Sequence, residues 1–207
     1  MADAVARLTP TAIMLLALLR EDDMHAYEMV RLLKERKADR LIPLTHGTIY
    51  HTVARLEREG RIAEVGSDRD GNRPERTTYA VTDAGAAALL DWVRRELASV
   101  DHPERFRIAL SEAHNLDRAE VVGLLDRRRE LLAASLDAHR RARDHAIARG
   151  AHPQFLIEVH RQTALLAADV AWHDEAVAFI GRPDTVWGVT GIPVTDRYLA
   201  QREAARA

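Results

Sequence analysis

The sequence predicts a mainly helical protein: an N-terminal α+β unit with one small β-hairpin, then an all-helical second half. Three observations predict this. The 207-residue chain is 47% apolar but only 5% aromatic, and it is dominated by Ala, Leu and Arg, a mixture that favours helices. Periodicity and turn residues give the order helix, helix, helix, hairpin, helix over about the first hundred residues. From about residue 101 onward the pattern is helical throughout, with two long runs and no internal repeat.

The first helix covers residues 10–20, with proline tolerated in its first turn and Ile13, Leu16 and Leu19 at helical spacing. Glu21-Asp22-Asp23 breaks the apolar run. A second helix spans about 25–37, with Tyr27, Val30 and Leu33 on one side. Leu41-Ile42-Pro43-Leu44 is extended or turning, because a residue before proline is pushed away from helical angles. Thr45 is then an N-cap for a third helix, 46–59, whose Ile49, Val53 and Leu56 recur at i, i+4, i+7. Gly60 stands where a helix C-terminal glycine belongs.

Residues 61–65 and 77–81 have strand character from Ile62, Val65, Tyr79 and Val81. The stretch between them, from Gly66 to Pro74, is dense in turn formers, so the pair reads as a hairpin. Thr82-Asp83 caps a fourth helix through Leu97, with Ala86, Leu89, Leu90 and Val93 apolar. This is the order of a winged helix-turn-helix.

The second half begins with a short helix, 106–113. A long one follows over 117–149, opened by Asp117 with Glu120 in a capping-box position. Its apolar set includes Val121, Leu125, Leu131, Leu132 and Leu136, a seam interrupted by Arg128. Gly150-Ala151-His152-Pro153 ends it, and a last long helix runs over 154–180. Two antiparallel helices with broad apolar stripes leave surplus apolar surface, which calls for a partner, most simply a second copy. The expected division is 1–98 as a winged helix-turn-helix domain, 99–180 as a helical dimerisation domain, and 181–207 as an irregular extension.

In a helix-turn-helix the second helix of the pair enters the major groove, and its N-terminal residues meet base edges. With Ile49, Val53 and Leu56 turned inward, Thr45, His46, Thr48, Tyr50, His51 and Arg55 are the candidates for DNA contact. Gly47 lets the backbone approach closely. Hydroxyls, imidazoles and a helix N-terminus are competent partners for bases and phosphates. Arg69, Arg73 and Arg76, in or beside the hairpin turn, are candidates to clamp phosphates or enter the minor groove. Each group also has a plainer reading as a solvated surface.

Four strings then carry a resemblance. Met24-His25-Ala26-Tyr27-Glu28, Gly47-Thr48-Ile49-Tyr50, Arg55-Leu56-Glu57-Arg58-Glu59-Gly60 and Thr78-Tyr79-Ala80-Val81-Thr82-Asp83-Ala84-Gly85 occur in the order and separation of the PadR family. The chain resembles that family over roughly residues 10–98, and its length is similar to the longer subfamily with a helical C-terminal domain. The resemblance implies a homodimeric repressor, often autoregulatory, which in some members a small ligand releases from DNA. It also implies DNA-proximal positions for Thr48 and Tyr50, and places Tyr27 at the helix-turn-helix interface. Ala26 stands where the family usually has glycine, and His51 where proline is frequent. The second departure lies on the groove face, so the family's operator does not carry over.

Other classes fare worse. With no cysteine there is no disulfide, thiolate metal site or cysteine nucleophile. The apolar run 12–19 is far shorter than the ~20 residues a bilayer needs, so a membrane partner is not expected and a cytoplasmic location is. The net charge of −2 gives no bulk basic excess, although DNA binding needs only a local positive stripe. No catalytic motif or cofactor fingerprint is present, so neither an enzyme nor a cofactor is expected. Ten histidines show no metal-binding spacing, and a metal is not expected either. Trp92 and Trp172 are candidates to line an effector pocket for a phenolic or other planar ligand, with ordinary interface packing as the competing reading. The expected partners are a palindromic double-stranded DNA operator, a second subunit and a small-molecule effector. The rival function is a non-catalytic protein-interaction module built on a degenerate winged helix.

Overall fold

The computed structural model describes residues 8–68, 76–188 and 196–206. Its elements are α1 (Pro10–Glu21), β1 (Met24–His25), α2 (Ala26–Glu35), α3 (His46–Arg58), β2 (Ile62–Asp68), β3 (Arg76–Val81), α4 (Asp83–Ala98), α5 (Pro103–Ser111), α6 (Arg118–Ala148), α7 (Ile157–Gly181) and α8 (Asp196–Arg206). The fold is an α+β N-terminal unit with a small hairpin wing and an all-helical second half.

Helix α1 is the axle of the first unit. Thr9 caps it by accepting from the Ala12 amide at 3.3 Å, and Pro10 occupies its first turn. Every residue from Thr11 to Leu19 is buried, so this helix is enclosed rather than amphipathic. It packs on α3, α4, α5 and β3.

The wing is a three-stranded antiparallel sheet in the order β1-β3-β2. The two-residue strand β1 pairs Met24 with Tyr79 and His25 with Thr78. A register shift between Glu64 and Gly66 makes Val65 a bulge residue, and it is exposed. The hairpin turn, with Arg69 and Arg73, lies outside the described residues.

One apolar core runs from Leu8 through Ile49 and Trp92 into Ile108, Val121, Leu125 and Ile180. The base of the α6–α7 hairpin is therefore built onto the winged unit. Farther out, α6 and α7 share a small separate cluster of Leu132, Leu136 and Leu166.

Two expectations change. Asp117 sits at the N-cap of α6 but makes no side-chain cap bond. Glu120 instead accepts from Arg94 of α4 at 2.5 Å, because a guanidinium is a stronger partner for a carboxylate than a backbone amide. The segment expected to be wholly irregular ends in α8, an eleven-residue helix packed on α2. Ala205 enters the core, and Arg202 is buried beside Glu28.

Candidate nucleic-acid interface

Helix α3 presents its first two turns to solvent because its ends are fixed. The Thr45 hydroxyl accepts from the Thr48 amide at 3.1 Å, and the two threonine hydroxyls lie 2.7 Å apart. At the other end Gly60 adopts φ 67°. Its amide donates to Glu57 O at 2.8 Å while Arg61 donates to Leu56 O at 2.9 Å, the paired bonds of a Schellman stop. Ile49, Thr52, Val53 and Leu56 are buried, and the Thr52 hydroxyl is spent on Thr48 O at 2.7 Å.

What remains outside is His46, Gly47, Thr48, Tyr50, His51 and Ala54, all exposed. Tyr50 is 49% exposed although it is a large aromatic that could have been buried. The surface therefore combines two hydroxyl-bearing residues, two imidazoles, a phenol and the positive end of a helix dipole. No Cβ at Gly47 would meet another atom within 4 Å, so its small size leaves room above the helix.

The neighbouring candidates divide. Tyr27 is 40% exposed at the start of α2, with the Arg31 guanidinium 5.7 Å from its ring centroid. In the string around it Met24, Ala26 and Glu28 face inward while Tyr27 faces out. Arg55 is half-buried and donates to Thr9 Oγ1 at 3.1 Å, tying α3 to the cap of α1. Arg76 begins β3, whose outer strand is β2. Arg69 and Arg73 belong to the undescribed turn.

Sequence reasoning missed the junction that sets the angle between α3 and the wing. Thr82 caps α4 by accepting from the Gly85 amide at 3.1 Å, while its hydroxyl donates to Gly60 O at 2.8 Å. Its own amide bonds Arg61 O at 3.1 Å. A Cβ on Gly85 would stand 2.0 Å from Arg61 O, so only glycine fits there. The glycine of the Thr-Asp-Ala-Gly string is thus required by backbone contact.

The two tryptophans are placed differently. Trp92 is fully buried in the main core. Trp172, 38% exposed on α7, meets Phe106 edge-on at 6.0 Å. Arg128, the residue that interrupts the α6 seam, lies over the Phe106 ring at 3.8 Å. His173 is buried and hydrogen-bonds Asp169 O at 2.7 Å, and burial lowers its pKa. Asp174 pairs with Arg129. Among the described residues no cluster of three His, Asp or Glu is placed to hold a metal ion, and no helix is long and apolar enough to cross a membrane.

Comparison with known proteins bears on this surface. Residues 15–91 match the family model described as the transcriptional regulator PadR-like family, a stretch that includes all of α2, α3 and the wing. No curated protein matches the chain. Among solved structures, Bacillus subtilis PadR in complex with operator DNA is 22% identical, with TM-score 0.39, covering 82% of this chain and 96% of that one. The same protein in complex with p-coumaric acid is 21% identical, with TM-score 0.36, covering 84% and 100%. A PadR-like transcriptional regulator from Bacillus cereus is 17% identical, with TM-score 0.35, covering 82% and 97%.

Proposed function

Since its N-terminal domain belongs to the PadR-like family of DNA-binding transcriptional regulators, we propose that the chain is a homodimeric repressor reading a palindromic operator through the first two turns of α3. The observation that carries this is the exposed face formed by Thr45, His46, Thr48, Tyr50 and His51 on a helix whose other face is locked in the core. Residues 1–98 form the reading unit in this proposal and residues 99–180 the pairing unit, working in the cytoplasm.

Two copies of α3 enter successive major grooves about one helical turn apart, and the wing arginines Arg69, Arg73 and Arg76 contact the flanking backbone. Tyr27 sits beside the same duplex. Pairing of the α6–α7 hairpins covers exposed apolar residues that the single chain leaves open, among them Leu131, Phe155, Ile157 and Leu165. A small planar effector that favours one arrangement of the two reading heads shifts the balance between bound and free operator. Binding of p-coumaric acid by Bacillus subtilis PadR supports looking first among aromatic ligands.

The test is a mobility-shift titration with the promoter of the protein's own operon and with selected genomic fragments. Tyr50→Ala and Arg73→Ala are expected to weaken binding without unfolding the chain. Unchanged affinity in both rejects the groove assignment. Binding that is insensitive to salt and to DNA sequence favours the protein-interaction module instead.

A further inference from the structure

A cavity of about 250 Å³ lies where the reading unit meets the helical half, between α1, α2 with the turn after it, and α5. Its apolar wall is Met14, Ala17, Leu18, Leu33 and Leu41. Its polar end holds Glu21, Arg36, Glu112 and His114, with Lys37 and Arg40 exposed at the mouth. Neither Trp92 nor Trp172 lines it.

The polar end is short of positive charge. Arg36 holds Glu21 in a bidentate pair at 2.5 and 2.7 Å, so its guanidinium is committed. Glu112 is only 8% exposed, and the donors near its carboxylate are weakly engaged. The Ser111 hydroxyl stands 3.4 Å from Oε1 but 2.8 Å from Ile108 O, which takes its proton. Asn115 Nδ2 is 3.3 Å from Oε2 and nearer, at 3.1 Å, to Glu112 O. A buried carboxylate with no committed cation is costly. Burial first, and then the charge of Glu21, push the Glu112 carboxyl up to about 7, against smaller opposing effects of Ser111, Arg36 and Asn115.

His114 adds an acceptor rather than a charge. Its Nδ1 lies 3.2 Å from Ser111 O, a contact made by an N–H donor, which leaves Nε2 as the acceptor. Burial lowers its pKa, and the nearby Arg20 and Arg36 act in the same direction. The chamber thus has an apolar body and an acceptor-rich, acidic end.

We propose that this chamber binds a small organic cation, a primary ammonium on a hydrophobic body the size of one ring, with the ammonium on Glu112. The single free carboxylate and the apolar wall suit a monoamine better than a metal ion. An amine there supplies the charge that Glu112 lacks and fills the gap between α1 and α5. The chamber is the regulator's effector site only on the reading given above. Binding itself does not depend on that reading.

The experiment is calorimetric titration of the full chain, without DNA, with phenethylammonium chloride, its neutral isostere 2-phenylethanol and the anion 3-phenylpropanoate. One saturable site for the amine is expected, at least tenfold tighter than for the alcohol or the anion. The amine stays protonated between pH 6 and 8, whereas Glu112 ionises across that interval, so amine affinity rises about tenfold from pH 6 to pH 8. Glu112→Gln removes both the preference for the cation and the pH dependence, and Ala17→Phe fills the chamber and abolishes binding. No saturable amine binding by the native chain, an anion bound as tightly as the amine, or full affinity in Glu112→Gln overturns the proposal. The discrimination among the three probes needs no variant, so a misfolded mutant does not shield it. A chain that binds the amine yet no genomic DNA keeps this site and rejects the regulator reading.

Discussion

Gly85 shows how much a single residue can fix. Its α-carbon lies against the Arg61 carbonyl, and the same few atoms join the end of α3, the start of β2 and the cap of α4. Gly85→Ala places a methyl 2.0 Å from that oxygen. The α4 N-terminus must then move, at a cost of about 3 kcal/mol or more by chemical denaturation. Glu112 makes a prediction with a sign. Its folded-state pKa of about 7 lies above its ordinary value of 4.5. The stabilising contribution is therefore complete below pH 4.5 and is lost as pH rises through 7. Glu112→Gln does not titrate, so its stability relative to the native chain should rise by roughly 3 kcal/mol between pH 4.5 and 7.5. Denaturation curves at the two pH values check this, and a constant difference contradicts it. Neither residue's role was legible beforehand. Gly85 was visible only as part of a familiar string, and Glu112 owes its character to Glu21 and the wall of α1.

At the scale of elements, helix signals read well where caps and apolar spacing agreed. Thr45 and Gly60 bracket α3, and Thr82 starts α4, because local hydrogen bonds decide those ends. Signals failed where a distant residue competed. Asp117 and Glu120 look like a capping box, but Arg94 takes Glu120. Arg55 reads as a groove residue, yet Thr9 holds it. The strand β1 is too short to leave a pattern. Helix α8 has few apolar residues, and it docks through Tyr198, Arg202 and Ala205 at i, i+4, i+7 instead. The guanidinium of Arg202 lies 2.6 Å from Asp22 and 3.3 Å from the buried Glu28, and the Tyr198 ring is 5.8 Å from that of Arg36. Arg202→Met leaves the Glu28 carboxylate without its guanidinium, and about 3 kcal/mol of stability should go with it. Adding Glu28→Gln should recover part of the loss in a double-mutant cycle. Purely additive losses contradict the pairing.

For the whole molecule, the change of composition near residue 100 marks a change of role rather than a break in the core. Trp92, Ile108, Val121 and Ile180 belong to one cluster, so whatever moves α5 or the base of the α6–α7 hairpin is felt by α1. The apolar surplus of the long helices was legible in their stripes, and Leu131 and Leu165 are indeed exposed. If pairing covers them, Leu131→Glu combined with Leu165→Glu should convert a sedimenting dimer into a folded monomer. A dimer that survives both changes must pair elsewhere.

The central claim is that the exposed start of α3 reads DNA, and one measurement tests it most directly. Affinity for the protein's own promoter is measured over a range of salt for the native chain and for Thr48→Ala with Tyr50→Ala. The account predicts log affinity falling linearly with log salt, by about 0.9 for each phosphate engaged. It further predicts a loss of about 1–3 kcal/mol for each side chain that meets a base. Native affinity in the double variant, in a chain that remains folded, contradicts it.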